Sequence, residues 1–158
     1  MKTFDLVIVG GGMVGLALAA SLRKAPLRIA VIESFPPQTS TEQITNRVSA
    51  LNLASQNLLT ELGVWSNLTA IRATAYNDMD VWEKDSFAKI EFSGKSLGLT
   101  HLGHIVENHL IQHTLWQNVL SQKNAEILTA LPQTIAVTDS NAIMTLNNGH
   151  MLSAKLIV

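Results

Sequence analysis

Cysteine is absent from the 158 residues. That excludes a disulfide framework, a thiolate nucleophile, a persulfide relay and any thiolate-held zinc or iron–sulfur centre. It suits a reducing compartment without requiring one. Charge of neither sign is in excess, since 11 Lys and Arg stand against 12 Asp and Glu for a formal net charge of −1. No basic field attracts a phosphate backbone, so nucleic acid is not an expected partner. No uncharged apolar run reaches the roughly 18 residues that a membrane-spanning helix requires. Met1 to Leu22 has the outline of a signal peptide, but Asp5 places a negative charge in the region that should be basic. Gly10-Gly11-Gly12 would also interrupt the apolar helix. There is no internal repeat and no low-complexity segment.

What is present supports a folded domain. Hydrophobic residues make up 47% of the chain and charged residues 15%, enough apolar material for a packed core at a length that fits one domain. Phe4-Asp5-Leu6-Val7-Ile8-Val9 is a short, β-branched apolar run of the kind buried on both faces of a parallel sheet. Glycines follow at once, and Val14 to Ala25 reads as a helix stopped by Pro26. Leu27-Arg28-Ile29-Ala30-Val31-Ile32-Glu33 reads as a second buried strand. The whole predicts a right-handed β-α-β unit with parallel strands.

Pro36-Pro37-Gln38-Thr39-Ser40-Thr41 predicts a polar loop, followed by a helix starting near Arg47 or Ser49. Ser55 to Leu62 predicts a firmer helix with Ser55 as N-cap and Gly63 as the stop. Met79, Val81, Ile90 and Phe92 around Lys84-Asp85-Ser86 predict a hairpin. Ile105 to Leu120 predicts a helix with Leu110, Thr114, Leu115 and Val119 as its buried stripe. The segment from Ile127 to Val158, with turns at Thr138-Asp139-Ser140-Asn141 and Asn147-Asn148-Gly149, predicts a three-stranded meander.

Gly10-Gly11-Gly12-Met13-Val14-Gly15 fits G-x-G-x-x-G between a predicted strand and a predicted helix, the context that gives this pattern meaning. Gly10 permits the tight turn, Gly12 lets backbone approach a diphosphate, and Gly15 brings helix close to strand. The diphosphate then meets unpaired N–H groups at the positive end of the helix dipole. Glu33, 18 residues past Gly15, is placed to accept hydrogen bonds from ribose hydroxyls and to repel a 2′-phosphate. The motif points to an adenine dinucleotide and leaves FAD and NAD open.

Other signals read as structural. His101, His104, His109 and His113 include an i, i+4 pair, but no H-E-x-x-H occurs, so they are expected to be solvated or hydrogen-bonded and no metal site is assigned. Asp78 and Asp80 fall on one face of a predicted strand and read as a solvated hairpin face. Trp82 and Trp116 read as packing residues. No serine is framed as a nucleophile elbow, and no catalytic residue is assigned.

Three further stretches carry a resemblance: Asn46-Arg47-Val48-Ser49-Ala50-Leu51-Asn52, Met79-Asp80-Val81-Trp82-Glu83-Lys84-Asp85-Ser86-Phe87 and Leu102-Gly103-His104-Ile105-Val106-Glu107-Asn108. Together with Gly63-Val64-Trp65 and the closing meander, they resemble the ubiquinone-biosynthesis flavin hydroxylases over essentially the whole chain. The resemblance implies an α/β fold: a Rossmann-like FAD-binding domain of the glutathione-reductase type, with a parallel sheet, a crossover β-meander and part of a β-hairpin substrate region. It implies FAD as cofactor and NAD(P)H as a transient reductant bound without its own Rossmann motif. It also implies O2 as co-substrate and hydroxylation of a polyprenylphenol ring. By the same resemblance Gly10, Gly12 and Gly15 hold the FAD diphosphate and Glu33 the adenosine ribose. Arg47 lies near the flavin phosphates, and Asn108 meets the ribityl or phosphate region.

The resembled family continues with a Gly-Ala-Asp-Gly stretch, a substrate domain and a Gly-Asp motif. Residues 1–158 are therefore expected to be the N-terminal part of an FAD-binding domain, a fragment inactive alone. A lipid-tailed substrate implies a cytoplasmic setting with peripheral contact at the inner membrane and association with other ubiquinone-biosynthesis proteins. The residues themselves keep two alternatives open, an NAD-dependent oxidoreductase and a non-catalytic interaction module built on a dinucleotide fold.

Overall fold

The computed structural model describes residues 1–37, 42 and 44–158; of the polar loop expected over 36–41, residues 38–41 lie outside those described. Two compact units are present, Met1–Ser40 with Ile111–Val158, and Thr41–Leu110.

In the first unit, β1 (Lys2–Val9), α1 (Met13–Ser21) and β2 (Ile29–Ile32) form the expected β-α-β unit. The strands are parallel, with Val7 opposite Ala30 and Val9 opposite Ile32. The helix stops at Ser21 and does not reach Ala25. Pro26 is the reason: its ring would collide with a helical carbonyl at Leu22, and it disfavours helical backbone at Ala25. Turns take over, and Asn124 Nδ2 donates to the Leu22 and Ala25 carbonyls at 3.0 and 3.3 Å, satisfying acceptors that a helix end leaves open.

β8 (Ala125–Leu128) pairs in parallel with the other side of β2. The expected meander follows as β9 (Pro132–Val137), β10 (Ala142–Leu146) and β11 (Met151–Ile157), antiparallel in sequence. Pro132 opens the exposed edge strand, where a missing N–H disrupts no ladder. Gly149, at φ 80°, supplies the left-handed residue of the turn between β10 and β11. β11 then runs parallel to β1, with Lys2 opposite Leu152 and Val7 opposite Ile157. The sheet order is β8-β2-β1-β11-β10-β9. Phe4, Val7, Ala30 and Ile32 pack with Met144, Leu146, Leu152 and Ala154 in one core, each fully buried large aliphatic contributing roughly 1.5–3 kcal/mol.

The second unit contains β3 (Val48–Asn52), α2 (Leu53–Glu61), α3 (Trp65–Ile71), β4 (Thr74–Tyr76), β5 (Asp78–Trp82), β6 (Lys89–Ser93), a 3₁₀ turn at Lys95–Leu97 and β7 (Gly103–Glu107). β7 is the centre of a sheet ordered β3-β7-β4, and β5 with β6 is the expected hairpin.

Three expectations are corrected here. The segment from Val48 is a strand and not a helix, because it pairs antiparallel with β7 from Val48 opposite Glu107 to Asn52 opposite Gly103. The helix expected from Ile105 is α4 (Asn108–Leu120), since Ile105 and Val106 are β-branched and are held in β7, Ile105 between Ala50 and Thr74 and Val106 opposite Ser49. The cap of α2 is Asn52 and not Ser55: the Asn52 Oδ1 accepts from the Ser55 N–H at 2.9 Å, the geometry of a side chain serving the third helical residue. Gly63 does end α2, at φ 76°. The Gly63 and Val64 amides donate to the Thr60 and Leu59 carbonyls at 2.9 and 3.0 Å, a Schellman closure. α3 had no forecast. The predicted stripe on α4 is buried at Leu110, Thr114, Leu115 and Val119.

Candidate functional site

The glycine loop joins β1 to α1 in the first unit. Gly10 has φ 115°, a conformation that side chains rarely adopt, which fits the turn role given to it. At Gly15 an added Cβ would lie 2.1 Å from the Gly10 carbonyl oxygen and 3.1 Å from Ile8 Cγ2. Only glycine lets α1 approach β1 this closely. At Gly12 the same construction meets nothing within 4 Å. That position is open space, so its glycine is not demanded by packing within the protein.

Gly12 is also the N-cap of α1, and no side chain caps it. The first-turn N–H groups of α1 therefore lack the partner that a Ser, Thr, Asp or Asn would provide. An open, uncapped helix start behind a cradle that a Cβ would fill matches the requirements of a diphosphate.

Glu33 follows β2 directly and is half-buried beside this loop. Its Oε2 accepts from the Gly11 N–H at 2.8 Å, and its Oε1 accepts from the Phe35 N–H at 2.9 Å and from Ser34 Oγ at 3.4 Å. Ionised, a carboxylate has about four acceptor positions, so Oε2 keeps capacity for one more donor such as a ribose hydroxyl. Gly11, the variable position of the motif, is confined as well. A Cβ there would lie 2.8 Å from Glu33 Cβ and 3.1 Å from Trp116 Cζ3. Sequence reasoning gave Gly11 no role, and no local signal marks it, because both neighbours come from elsewhere in the chain.

Arg47 and Asn108 belong to the second unit. Arg47 is exposed, and its carbonyl accepts from the Asn108 N–H at 2.9 Å. Asn108 Oδ1 accepts from Ser49 Oγ at 2.6 Å, so the amide oxygen is already engaged. Around them, Glu107 Oε1 accepts from the Thr45 N–H at 2.7 Å, Glu107 Oε2 accepts from Arg72 Nε at 2.8 Å, and Thr45 Oγ1 lies 3.3 Å from His109 Nδ1. Glu107, Asn108 and His109 thus fasten the Thr45–Ser49 segment residue by residue. Glu107 is buried, and burial pushes its carboxyl upward. The hydrogen bonds from Arg72 and Thr45, with the charge of Arg72 and His109, outweigh this and hold it below the ordinary value of 4.5.

Of the remaining histidines expected to be solvated or hydrogen-bonded, His101 has a side-chain partner, whereas Nδ1 of His104 and of His113 is buried without one. His101 lies 3.3 Å from Gln56 Oε1 through Nε2, and its ring meets that of His104 edge-on at 4.7 Å. His104 also stands edge-on to Trp65 at 5.0 Å. Burial, then the neighbouring His101, lowers the His104 pKa from its ordinary 6.5. Among the described residues no group of three or more His, Asp or Glu side chains could hold a metal ion. Asp78 and Asp80 are exposed, with Asp80 3.1 Å from Lys89. Trp116 is buried as expected, whereas Trp82 is 70% exposed on the hairpin and is not a packing residue among these elements. Among the described residues no helix is long and apolar enough to cross a membrane.

Residues 3–155 match the FAD binding domain family. The chain is 33% identical over 159 residues to 3-demethoxyubiquinol 3-hydroxylase of Escherichia coli, covering 98% of this chain and 40% of that protein. It is 32% identical to the mitochondrial ubiquinone biosynthesis monooxygenase COQ6 of Rattus norvegicus, covering 99% of this chain and 36% of that protein. The chain thus spans about two fifths of the length of these relatives. Among solved structures, p-nitrophenol 4-monooxygenase PnpA of Pseudomonas putida superposes with a TM-score of 0.73 at 23% identity, over 99% of this chain and 40% of that one. The flavin-dependent monooxygenase PieE, solved with FAD and substrate, gives 0.73 at 13% identity, over 98% of this chain and 29% of that one. The chain belongs to the FAD binding domain family, and its cofactor is FAD.

Proposed function

We propose that this chain is the FAD-binding portion of a flavin-dependent hydroxylase acting on a polyprenylphenol, of the 2-octaprenylphenol kind, in ubiquinone biosynthesis. NAD(P)H is the transient reductant and O2 the oxygen donor. The observation that carries the reading is the open position at Gly12, at the uncapped start of α1 and beside the carboxylate of Glu33. Packing demands glycine at Gly15 but leaves Gly12 unexplained until a ligand backbone-close to it is supplied.

FAD supplies the redox chemistry when bound; the residues here bind and orient it. Gly10, Gly12 and Gly15 shape the diphosphate cradle, and Glu33 takes a ribose hydroxyl on Oε2. Arg47 and Asn108 take their roles, toward the flavin phosphates and the ribityl or phosphate region, from the family resemblance. A guanidinium suits the first because it meets phosphate oxygens in pairs. The lipid-tailed substrate places the whole enzyme at a membrane surface on the cytoplasmic side, with other enzymes of the same biosynthesis.

The test is a titration of the purified chain with FAD, followed by flavin fluorescence, with ADP and NAD+ as competitors. Saturable quenching displaced by ADP, with NAD+ competing more weakly than FAD, is expected. Preference for NAD+ would instead mark a dehydrogenase, and binding of neither would leave a non-catalytic module. The hydroxylase assignment is tested in a polypeptide of the relatives' full length. There a polyprenylphenol should accelerate NAD(P)H oxidation, and the product should gain one atom of isotopically labelled O2.

A further inference from the structure

Both backbone groups of Gly11 are held by side chains. Its N–H donates to Glu33 Oε2 at 2.8 Å, and its carbonyl accepts from Gln112 Nε2 at 2.7 Å. Gln112 is half-buried on α4, 101 residues along the chain from its partner. One turn further along the same helix face, the ring of Trp116 stands where a Gly11 side chain would project. Gly11 is therefore clamped between the end of β2 and one face of α4, within a single compact unit.

A trans peptide is planar, with its C=O and N–H pointing in opposite directions. Fixing the Gly11 carbonyl toward Gln112 therefore fixes the Gly12 N–H in the direction away from α4. Gly12 is the exposed N-cap residue of α1, and its N–H is one of the donors an anion at this helix start would meet. Without the Gln112 bond the Gly11–Gly12 peptide, between residues with no side chain, is free to rotate. The donor then has to be ordered when the ligand binds, and affinity falls accordingly.

We infer that Gln112 is a positioning residue for the diphosphate of FAD, acting through the Gly11–Gly12 peptide and not by touching the cofactor. The inference rests on the FAD reading above. Glu33 and Gln112 divide the work: the carboxylate takes the N–H on one side of Gly11, and the amide takes the C=O on the other. A carboxylate at position 112 would face a carbonyl oxygen and could not replace the amide.

The test uses the full chain with Gln112→Leu and with Gln112→Asn, whose amide is retained but is one methylene too short. FAD and ADP affinities, the melting temperature, and the amide 15N shift and hydrogen exchange of Gly12 in the ligand-free chain are measured. Expected for both variants are affinities lowered about tenfold, the loss of one hydrogen bond's worth of ordering. The Gly12 amide should shift and exchange faster, with melting temperature close to that of the parent. Parental affinity in either folded variant would overturn the inference while leaving FAD binding intact. If the parent bound neither FAD nor ADP, the FAD reading itself would fail. An unchanged Gly12 amide in the ligand-free variants would then also dismiss the clamp. Gln112→Asn guards against misfolding of the leucine variant, because it exposes no new apolar surface.

Discussion

Arg72 and Glu107 meet through Nε and Oε2 at 2.8 Å, joining the end of α3 to the end of β7 with the carboxylate 7% exposed. The same carboxylate accepts from the Thr45 amide, so one buried charge ties together three stretches of the second unit. Removing a charge-assisted hydrogen bond to a buried carboxylate costs about 2 kcal/mol. Glu107→Gln should lower the stability at pH 7 by that order, read as a shift of the urea midpoint.

The depressed pKa of Glu107 gives that stability a pH dependence of definite sign. A group whose folded pKa lies below its unfolded value stabilises the fold above the unfolded pKa, here about 4.5, and loses that contribution as pH falls through the lower folded value. Urea midpoints of the parent should therefore drop below about pH 4.5, and the curve for Glu107→Gln should be flatter across the same window. Parallel curves for the two proteins would show that this carboxyl does not titrate with folding.

Much of the first unit was legible because its signals are local. The apolar runs of β1 and β2, the glycine loop between strand and helix, and the Asn147-Asn148-Gly149 turn each need only a short window of sequence. The second unit was harder. Val48-Ser49-Ala50-Leu51-Asn52 reads as a helix start because its apolar residues do not alternate by two, and the partner that makes it a strand, β7, lies some fifty residues on, outside any short window. Ile105 and Val106 read as part of the following helix for the same reason. The candidate site divides the same way: Gly10, Gly12, Gly15 and Glu33 follow from spacing. Gln112 and Glu107 do not, since the first finds its partner 101 residues away and the second 62 and 35 residues away.

The cap at Asn52 offers a cleaner stability measurement than any site residue. Its Oδ1 accepts from the Ser55 N–H at the exposed start of α2. Asn52→Ala should destabilise by about 1 kcal/mol, and Ser55→Ala by much less, because Ser55 contributes only its backbone amide. Equal losses in chemical denaturation would return the cap to Ser55.

Glu33→Gln keeps an oxygen for the Gly11 N–H but removes its charge. Charge-assisted hydrogen bonds are roughly twice as strong as neutral ones, so FAD affinity should weaken several-fold. The repulsion toward a 2′-phosphate should also relax. The check is competition between ADP and its 2′-phosphorylated counterpart in the parent and the variant. Unchanged discrimination would remove Glu33 from the ribose site.

Gly15 and Gly12 make opposite predictions from the same substitution. At Gly15 the new methyl overlaps the Gly10 carbonyl oxygen, so Gly15→Ala should cost about 3 kcal/mol as β1 and α1 are forced apart. At Gly12 the backbone is at φ −75° and the methyl enters open space, so Gly12→Ala should fold with stability within about 1 kcal/mol of the parent. That methyl occupies the approach to the α1 N-terminus. FAD and ADP affinity should therefore fall by more than about tenfold, the 1.4 kcal/mol that one obstructed contact readily exceeds. Separation of the two effects is the decisive feature: a folded Gly12→Ala chain that binds FAD as tightly as the parent would mean that the diphosphate lies elsewhere.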